Sequence, residues 1–287
     1  MTRSDAALAG TAGRRDGLLL SPYSAARVSV LRLPLRERAQ DLVAVEDPLE
    51  IRIDGQAVAV TMRTPGDDEE LALGFCLTEG MRPTAARVPE DLAANTIEVD
   101  AEGFDPARRQ RNFYTSSSCG VCGLGAVSSV GVHAPRVESP LGIAEHVVSE
   151  LPVKLRGAQA VFDETGGLHA AGLFTADGEL LCVREDVGRH NAVDKVIGWA
   201  FREDLLPLSD TVLCLSGRVS FELVQKAAVA GCPVIVAVGA PSSLALGLAR
   251  DRGVTVCGFV RDDRFVVYTE PARIMTCQLP ERMSMLR

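Results

Sequence analysis

The last part of the chain alternates strand-like and helix-like segments, and this alternation constrains the fold more than any other feature. Apolar runs of strand length occupy 211–215, 233–238 and 254–260, with helical periodicity over 221–230 and 243–250 between them. Strands that alternate with helices of this length are typical of βαβ units, in which parallel strands are covered by helices on both faces. The sequence therefore predicts an α/β domain.

The segments nearer the N-terminus predict a smaller, mixed unit. Apolar and polar residues alternate over 49–53 and again over 58–62, around a turn at Asp54-Gly55, which predicts a β-hairpin. A further short strand is predicted over 96–99. We therefore expect a small α+β domain over 25–114, after a disordered tail over 1–24 that shows no periodicity.

A helix is predicted directly after the first hairpin. Acidic residues crowd its start, Asp67 and Glu70 have the spacing of a capping box, and Gly80 ends it. Glu69 and Glu70 resemble a pair of catalytic carboxylates, but helix-end electrostatics explains them better.

The segments between the small unit and the βαβ repeat complete the α/β domain, which we place at 126–287. They comprise a strand over 127–132, a helix within 142–155, a hairpin formed by 168–174 and 179–183, and a helix capped by Asp186 whose apolar face is Val193, Val196, Ile197 and Ala200.

Cys119 and Cys122 form a C-x-x-C pair in a segment over 115–125 that is rich in serine and glycine. Glycine disfavours a helix, so we expect a mobile, exposed loop. A structural zinc site needs four soft ligands, and a second such pair is missing from the sequence. A thioredoxin-like pair would lie at a helix start after a strand, but here serines precede the pair and glycines follow it, which disfavours that interpretation. A reactive pair on a mobile arm that carries sulfur fits the composition best, and a glycine-rich turn with incidental thiols is the alternative.

The other six cysteines are isolated among apolar residues or stand alone, and we expect them to be inert: Cys76, Cys182, Cys214, Cys232, Cys257 and Cys277. Irregularly spaced cysteines in a 287-residue chain indicate a reducing compartment rather than a disulfide framework.

Arg14-Arg15 is not followed by an adequate apolar region for export, and the sequence has no apolar run of 18 residues, so we expect a cytoplasmic protein that does not enter membranes. A net charge of −8 disfavours nucleic-acid binding.

Two predicted strand-to-helix junctions carry glycine and serine, at 216–220 and 239–243. Such junctions present backbone N–H groups and the positive end of a helix dipole, so phosphate binding is one interpretation. Ordinary turns capped by Ser220 and by Ser242 or Ser243 are the other.

Three further clusters are each open to more than one interpretation. His169 follows a turn at Gly166-Gly167, where it either contacts a ligand or has a structural role. The charged run over 185–195 predicts a polar site, a buried network or a solvated helix start. The segment 261–264 is either a plain turn or a guanidinium clamp for phosphate.

Taken together, the motifs resemble the formate dehydrogenase accessory sulfurtransferases (FdhD). The resemblance extends from about residue 27 to 275, in the order RTPGDDEELALGF at 63–75, TEG at 78–80, SCGVCG at 118–123, TGGLHAA at 165–171, EDVGRHNAVDKVIG at 185–198, SGR at 216–218, Glu222 with Lys226, APSSLA at 240–245 and GFVR at 258–261. So many motifs in one order make a chance resemblance very improbable.

The resemblance implies a sulfur carrier that takes sulfane sulfur from a cysteine desulfurase and passes it to the bis-molybdopterin guanine dinucleotide cofactor for formate dehydrogenase. It also implies a homodimer, and a cytidine-deaminase-like α/β domain preceded by a smaller α+β domain. Cys119 would carry the persulfide, with Cys122 as its partner. The expected cofactor-binding residues are Gly166, Gly167, His169, Ser216, Gly217, Arg218, Ala240, Ser242, Phe259, Val260, Arg261, Asp262, Asp263 and Arg264.

The relation to deaminases provides a test of the chemistry. Zinc deaminases carry H-x-E followed by P-C-x-x-C. Here His169 lacks the glutamate and the C-x-x-C lies upstream, so deamination is disfavoured and no structural metal is expected. A cofactor chaperone that moves no sulfur and a dithiol redox module stay open as alternatives.

Overall fold

The computed structural model describes residues 24–90, 95–104 and 134–276 of the chain. The N-terminal unit consists of β1 Ala25–Arg32, β2 Glu37–Ala44, β3 Asp47–Ile53, β4 Gln56–Arg63, α1 Asp68–Thr78, β5 Pro83–Arg87 and β6 Thr96–Ala101. Strands β1 and β2 form a separate two-stranded hairpin, and the others form a four-stranded sheet in the order β4-β3-β6-β5. The predicted hairpin over 49–62 and the strand over 96–99 are confirmed.

The second unit supplies the remaining elements: β7 Ile143–Ala144, α2 Glu145–Gly157, α3 Ala160–Thr165, β8 His169–Thr175, β9 Leu180–Asp186, α4 Arg189–Arg202, β10 Thr211–Leu215, α5 Phe221–Val229, β11 Val234–Ala237, α6 Ser243–Arg252, β12 Thr255–Arg261, β13 Arg264–Thr269, a 3₁₀ turn at Pro271–Arg273 and β14 Ile274–Met275. Six of the strands form one sheet in the order β13-β12-β11-β10-β8-β9. The predicted βαβ repeat is confirmed, because β10, β11 and β12 are parallel. Strands β8, β9 and β13 are antiparallel additions, which makes the sheet mixed.

Helices cover both faces of the large sheet, and the strand sequences show why. Along β10, Leu213 and Leu215 face the core beneath α4, α5 and α6. Val212 and Cys214 face the opposite core, beneath α2. Because successive side chains of a strand point to opposite faces, an uninterrupted apolar run fills both cores. The predicted α/β fold with a preceding α+β unit is confirmed.

Helices α1 and α4 join the two units through direct backbone contact. A Cβ atom on Gly74 would lie 1.8 Å from the carbonyl oxygen of Asp194, and one on Gly198 would lie 1.9 Å from that of Glu70. Real Cβ atoms do not approach other atoms so closely, so both positions require glycine. The units therefore share one helix-to-helix interface.

A buried ion pair lies beside this interface. The Lys226 ammonium lies 2.8 Å from both carboxylate oxygens of Asp194, and the Thr78 hydroxyl donates to Asp194 at 2.9 Å. All three residues are buried. Burial raises the pKa of Asp194, and the Lys226 charge opposes this shift. The pair links α1, α4 and α5.

Two predicted helix caps are wrong in detail. Asp67 precedes α1 but makes no side-chain cap hydrogen bond. The Glu70 carboxylate instead accepts two hydrogen bonds from Arg184 of β9, at 2.6 and 2.8 Å. At α4 the capping position belongs to Gly188, and Asp186 is the last residue of β9. The Glu70 carboxylate is bound to a residue that is distant in sequence. The Asp186 carboxylate is bound both to a distant residue and across the turn that follows β9.

Five of the six isolated cysteines lie in the described residues, and all five are buried: Cys76, Cys182, Cys214, Cys232 and Cys257. Burial raises the pKa of Cys182 and Cys257 to about 12 and that of Cys232 to about 11. The predicted burial of these five cysteines is therefore confirmed, and their lack of reactivity stays a prediction. Cys277, the C-x-x-C segment over 115–125, the strand over 127–132 and the tail over 1–23 lie outside the described residues.

Candidate functional site

The loops that follow the parallel strands are stacked by backbone hydrogen bonds. Gly239 N–H donates to the Gly217 carbonyl at 3.2 Å, and Phe259 N–H donates to the Gly239 carbonyl at 3.2 Å. A Cβ atom on Gly239 would lie 2.7 Å from the Gly217 oxygen, so only glycine allows this approach. Gly217 and Gly239 lie in the loops after β10 and β11, and Phe259 lies near the carboxyl end of β12, so the three form one continuous edge where ligands bind in open α/β sheets.

His169 begins β8 at the same edge, because β8 runs antiparallel to β10. A Cβ atom on Gly217 would lie 3.4 Å from His169 Nδ1, so the imidazole lies against that loop. Burial lowers the pKa of His169, and the nearby charges of Arg189 and His190 lower it further. The ring is therefore neutral at pH 7 and offers both a donor and an acceptor.

A cleft of about 550 Å³ opens beside His169. Its walls come from α2, α3 and the starts of the loops, and the lining residues are Pro152, Leu155, Arg156, Gln159, Phe162, Gly166, Gly167, Leu168, His169, Ser216 and Val238. The Arg156 guanidinium lies 4.7 Å from the centre of the Phe162 ring. The Ser216 hydroxyl accepts a hydrogen bond from Ala170 N–H at 2.8 Å, which fixes the floor of the cleft. The volume and the mostly apolar wall with a few polar groups are typical of a small-molecule site.

Three helices begin along this edge: α4 after Gly188, α5 after Ser220 and α6 after Ser242. The Ser242 hydroxyl accepts from Ala245 N–H at 3.2 Å, which confirms its predicted capping role. Ser220 occupies the capping position of α5 without a cap hydrogen bond from its side chain. Helix N-termini carry partial positive charge, so their convergence favours an anionic ligand.

Arg189 and His190 form the first turn of α4. His190 Nε2 lies 2.8 Å from a Glu222 carboxylate oxygen and 3.1 Å from the Ser220 hydroxyl. These contacts tie the starts of α4 and α5 together. Arg189 Nε is buried, and among the described residues it has no hydrogen-bond partner. The residue as a whole is half-buried, and its guanidinium adds positive charge at the start of α4.

The Asp186 carboxylate fixes the start of α4 through hydrogen bonds and an ion pair. Its fully buried carboxylate accepts from Gly188 N–H at 2.8 Å, from Thr64 N–H at 3.1 Å and from the Asn191 amide at 2.9 Å. The Lys195 ammonium lies 2.8 Å from the same carboxylate. Thr64 belongs to the small unit, so that unit positions the start of α4.

The predicted segment 259–264 occupies the outer end of this edge. Phe259 is 53% exposed and has a φ of 53°, a left-handed conformation that is rare for a bulky residue. Val260 is buried in the core. Arg261 and Arg264 are exposed and face each other across a turn that carries Asp262 and Asp263.

The structure thus brings most of the predicted site residues to one edge. A continuous path of contacts runs from His169 through Gly217 and Gly239 to Phe259. Arg218 and Ser242 are exposed along it, and Gly166 and Gly167 line the cleft. Cys119 and Cys122 lie outside the described residues.

Four further residues at this edge were not predicted as site residues: Arg189, His190, Ser220 and Glu222. The dense charge of the run over 185–195 was a signal for the first two. Ser220 was visible only as a candidate cap, and Glu222 only as part of a motif, because neither shows its histidine partner in the sequence.

Within 24–90, 95–104 and 134–276, no group of three or more His, Cys, Asp or Glu side chains is arranged to hold a metal ion. In that same part of the chain, no helix is both long enough and apolar enough to span a bilayer.

Comparison with known proteins identifies the class to which this fold and edge site belong. Residues 44–275 match the model of the FdhD/NarQ family. The chain belongs to the FdhD/NarQ family, which confirms the resemblance found in the sequence.

Individual relatives match over most of their length. "Sulfur carrier protein FdhD" from Mycolicibacterium paratuberculosis is 53% identical over 251 residues, which cover 82% of this chain and 92% of the relative. The protein of the same name from Sulfolobus acidocaldarius is 43% identical over 250 residues, covering 86% and 97%. A crystal structure from Desulfotalea psychrophila, described as a candidate formate dehydrogenase accessory protein, superposes with a TM-score of 0.69 at 25% identity and covers 88% of this chain and 98% of that one.

Proposed function

We propose that this protein is a sulfur carrier that loads sulfane sulfur on Cys119 and delivers it to a molybdenum cofactor. The observation that carries the proposal is the 53% identity, over most of both chains, to a relative named as a sulfur carrier protein. The family match over 44–275 includes the C-x-x-C pair.

The donor in this proposal is a cysteine desulfurase carrying a persulfide. The Cys119 thiolate attacks the terminal sulfur of that persulfide, a new S–S bond forms on Cys119, and the donor cysteine leaves as a thiolate. The exchange needs no external oxidant or reductant. Delivery as sulfide follows when the Cys122 thiolate attacks Cys119 Sγ, which expels the terminal sulfur as hydrosulfide and leaves a disulfide. A cellular dithiol then reduces that disulfide for the next cycle.

The acceptor in this proposal is the bis-molybdopterin guanine dinucleotide cofactor, bound as a substrate at the carboxyl edge. The features that support this assignment are the helix starts at Ser220 and Ser242, the exposed Arg218 and the half-buried Arg189 at the start of α4. Diphosphates of a guanine dinucleotide are anions of the kind that helix N-termini and guanidinium groups bind. The neutral His169 beside the cleft can hydrogen bond to a ring edge without adding charge.

The client in this proposal is formate dehydrogenase, in keeping with the description of the Desulfotalea psychrophila protein. The sequence resemblance also implies a homodimer and a cytoplasmic location, and both belong to the proposal. The net charge of −8 favours protein and small-molecule partners over nucleic acid.

Intact mass spectrometry of the reduced protein, after incubation with a cysteine desulfurase and free cysteine, tests the proposal. We expect wild type to gain the mass of one sulfur atom, reversibly on reduction, and Cys119→Ala to gain none. Cys277→Ala is a matched cysteine control that we expect to load like wild type. Absence of loading in wild type with an active desulfurase would leave a cofactor chaperone or a dithiol redox module as the function.

A further inference from the structure

The wall of the cleft beside His169 is close to electrically neutral. Arg156 is the one charged side chain among the described residues that line it. The Arg156 guanidinium pairs with the Asp163 carboxylate at 2.5 Å and lies over the Phe162 ring, so a neighbouring carboxylate balances its charge. His169 also lines the cleft, and burial lowers its pKa, which keeps the ring neutral at pH 7. A flat, neutral molecule that packs against apolar and aromatic groups therefore fits this cleft better than a phosphate does.

Gln159 lines the same cleft and is only 3% exposed. It occupies the capping position of α3, yet its side chain makes no cap hydrogen bond. The N–H groups of that helix start donate instead to the Glu185 carboxylate, from Val161 at 2.9 Å and from Phe162 at 2.8 Å. Within the described residues, the hydrogen bonds of Gln159 run through its backbone, and its side-chain amide has no partner there. A polar group that is buried without a partner requires an explanation, and a ligand in the cleft provides one.

The chemistry of the amide defines the kind of ligand edge that it can pair with. A primary amide presents a carbonyl acceptor beside an N–H donor in one plane. The complementary edge of a flat ring is an N–H beside a carbonyl oxygen. Guanine and pterin rings both carry this edge, with an amino group on the other side of the N–H, and such rings stack well on aromatic side chains.

The cleft joins the carboxyl edge of the sheet at Ser216 and His169. Ser216 lines the cleft and is followed directly by Gly217 of the edge, and the His169 ring lies against Gly217. The helix starts at Ser220 and Ser242 lie farther along that edge. A nucleotide whose ring lies in the cleft can therefore place its phosphates beside the helix starts, where their charge is stabilised.

We propose that the cleft is the ring subsite of the carboxyl edge, and that Gln159 recognises the ring by pairing its amide with the N–H and carbonyl of a 2-amino-4-oxopyrimidine edge. Guanine and pterin share that edge, so either end of a molybdopterin guanine dinucleotide can supply it. The inference rests on the proposed function, which supplies the ligand class. It adds a specificity-determining residue from the segment between α2 and α3, outside the loops that follow the parallel strands.

Calorimetry of the full-length protein with guanosine diphosphate and inosine diphosphate, at pH 8, tests recognition of the base. Inosine lacks the 2-amino group but keeps the N–H and the carbonyl, so we expect wild type to bind the two within about twofold. In Gln159→Glu, two acceptor oxygens face the N–H and the 2-amino group, so we expect guanosine diphosphate to be preferred about tenfold. A purely structural role of Gln159 would change both affinities together and leave their ratio unchanged.

Gln159→Met keeps the length of the side chain and removes the amide. We expect it to weaken binding of both diphosphates about tenfold, because the paired donor and acceptor are lost together. Gln56→Met is the matched control, since Gln56 is an exposed glutamine at the start of β4 in the small unit, and we expect it to bind like wild type. Urea unfolding of each variant shows that it is folded. If Gln159→Glu does not fold, the affinities of Gln159→Met decide the matter.

Free pterin is the third probe and distinguishes the two sources of the ring edge. If the base occupies the cleft, Gln159→Met weakens the diphosphates more than pterin. If the pterin occupies it, Gln159→Met weakens pterin and leaves the diphosphates unchanged. Either result supports the subsite and identifies its occupant.

Two other results would overturn the inference, and they differ in what they leave standing. Unchanged affinity for all three probes in the folded Gln159 variants would remove Gln159 from the site and leave the proposed function intact. A wild type that binds none of the three probes would overturn both the ring subsite and the cofactor part of the proposed function. Sulfur loading on Cys119, measured on the same samples, is expected to match wild type in every variant, because Gln159 takes no part in the persulfide exchange.

Discussion

A Cβ atom on Gly198 of α4 would lie 1.9 Å from the carbonyl oxygen of Glu70 in α1. The two helices therefore meet backbone to backbone, and a methyl group has to force them apart. We expect Gly198→Ala to lower the free energy of unfolding by about 3 kcal/mol, at the upper end of the usual cost of overpacking. Urea unfolding followed by circular dichroism measures this.

Gly247→Ala is the matched control for that substitution. Gly247 lies within α6, and a Cβ atom there has no neighbour within 4 Å. Alanine is the better helix former, so we expect a gain of about 1 kcal/mol. Equal effects of the two substitutions would show that the helix contact does not exist in solution.

Replacing Lys226 by methionine removes the partner of the buried Asp194 carboxylate. We expect Lys226→Met to cost about 3–5 kcal/mol of stability, the usual effect of leaving a buried charge unpaired. Lys154→Met, which breaks an exposed pair with Glu150, is expected to cost at most about 1 kcal/mol. Removing Lys226 takes away the charge that opposes the effect of burial, so the pKa of Asp194 rises further, and the deficit grows as the pH rises above the unfolded value of that carboxyl. A pH-independent deficit would argue against an ionised Asp194.

His169 is expected to titrate below its ordinary value of 6.5, because burial and two neighbouring cations disfavour the imidazolium. A depressed folded pKa means that the unfolded chain binds more protons as the pH falls below 6.5. The contribution of His169 to stability is therefore present above that pH and lost below it. NMR titration of wild type and His169→Gln identifies the resonance among the four histidines. A pKa at or above 6.5 would contradict the geometry.

Arg189→Gln is expected to weaken binding of guanosine diphosphate about tenfold, because it removes a charged donor from the start of α4. Arg87→Gln changes an exposed arginine of the small unit and is expected to leave affinity unchanged. Calorimetry at two salt concentrations measures both. Wild-type affinity in Arg189→Gln would remove this residue from the site.

Alkylation of the native protein at pH 8 is expected to spare Cys182, Cys214, Cys232 and Cys257. Burial raises the pKa of each of these thiols, so the reactive thiolate is scarce and out of reach. Peptide mass spectrometry before and after denaturation measures the modification at each site. Rapid modification of any of the four in the native protein would contradict the described cores.

Periodicity predicted the βαβ repeat and two hairpins, but it did not predict the hairpin of β1 and β2, and two of the predicted helix caps were wrong. The strand at 211–215 was predicted with its observed bounds because its apolar run fills two cores. The caps assigned to Asp67 and Asp186 were wrong because the observed partners, such as Arg184 for Glu70 and Thr64 for Asp186, lie more than a hundred residues away. Local spacing carries no information about such partners.

The candidate site, too, was predicted from the sequence only in part. Glycine and serine at the loops predicted the edge, since close backbone approach needs them. The link between His190 and Glu222 was not predicted, because it depends on how α4 and α5 pack. Likewise, the sequence shows Gly198 only as a residue that disfavours a helix. Its role in the close contact between α4 and α1 depends on how the two helices pack.

Backbone hydrogen bonds join the loops at Gly217 and Gly239 to each other and to Phe259 of β12. Side chains along this edge, such as Arg218 and Ala240, can therefore be exchanged while the amides that would contact a ligand keep their positions. Ligand preference and loop geometry are separable properties here, so the edge can be redesigned for a different anion one side chain at a time.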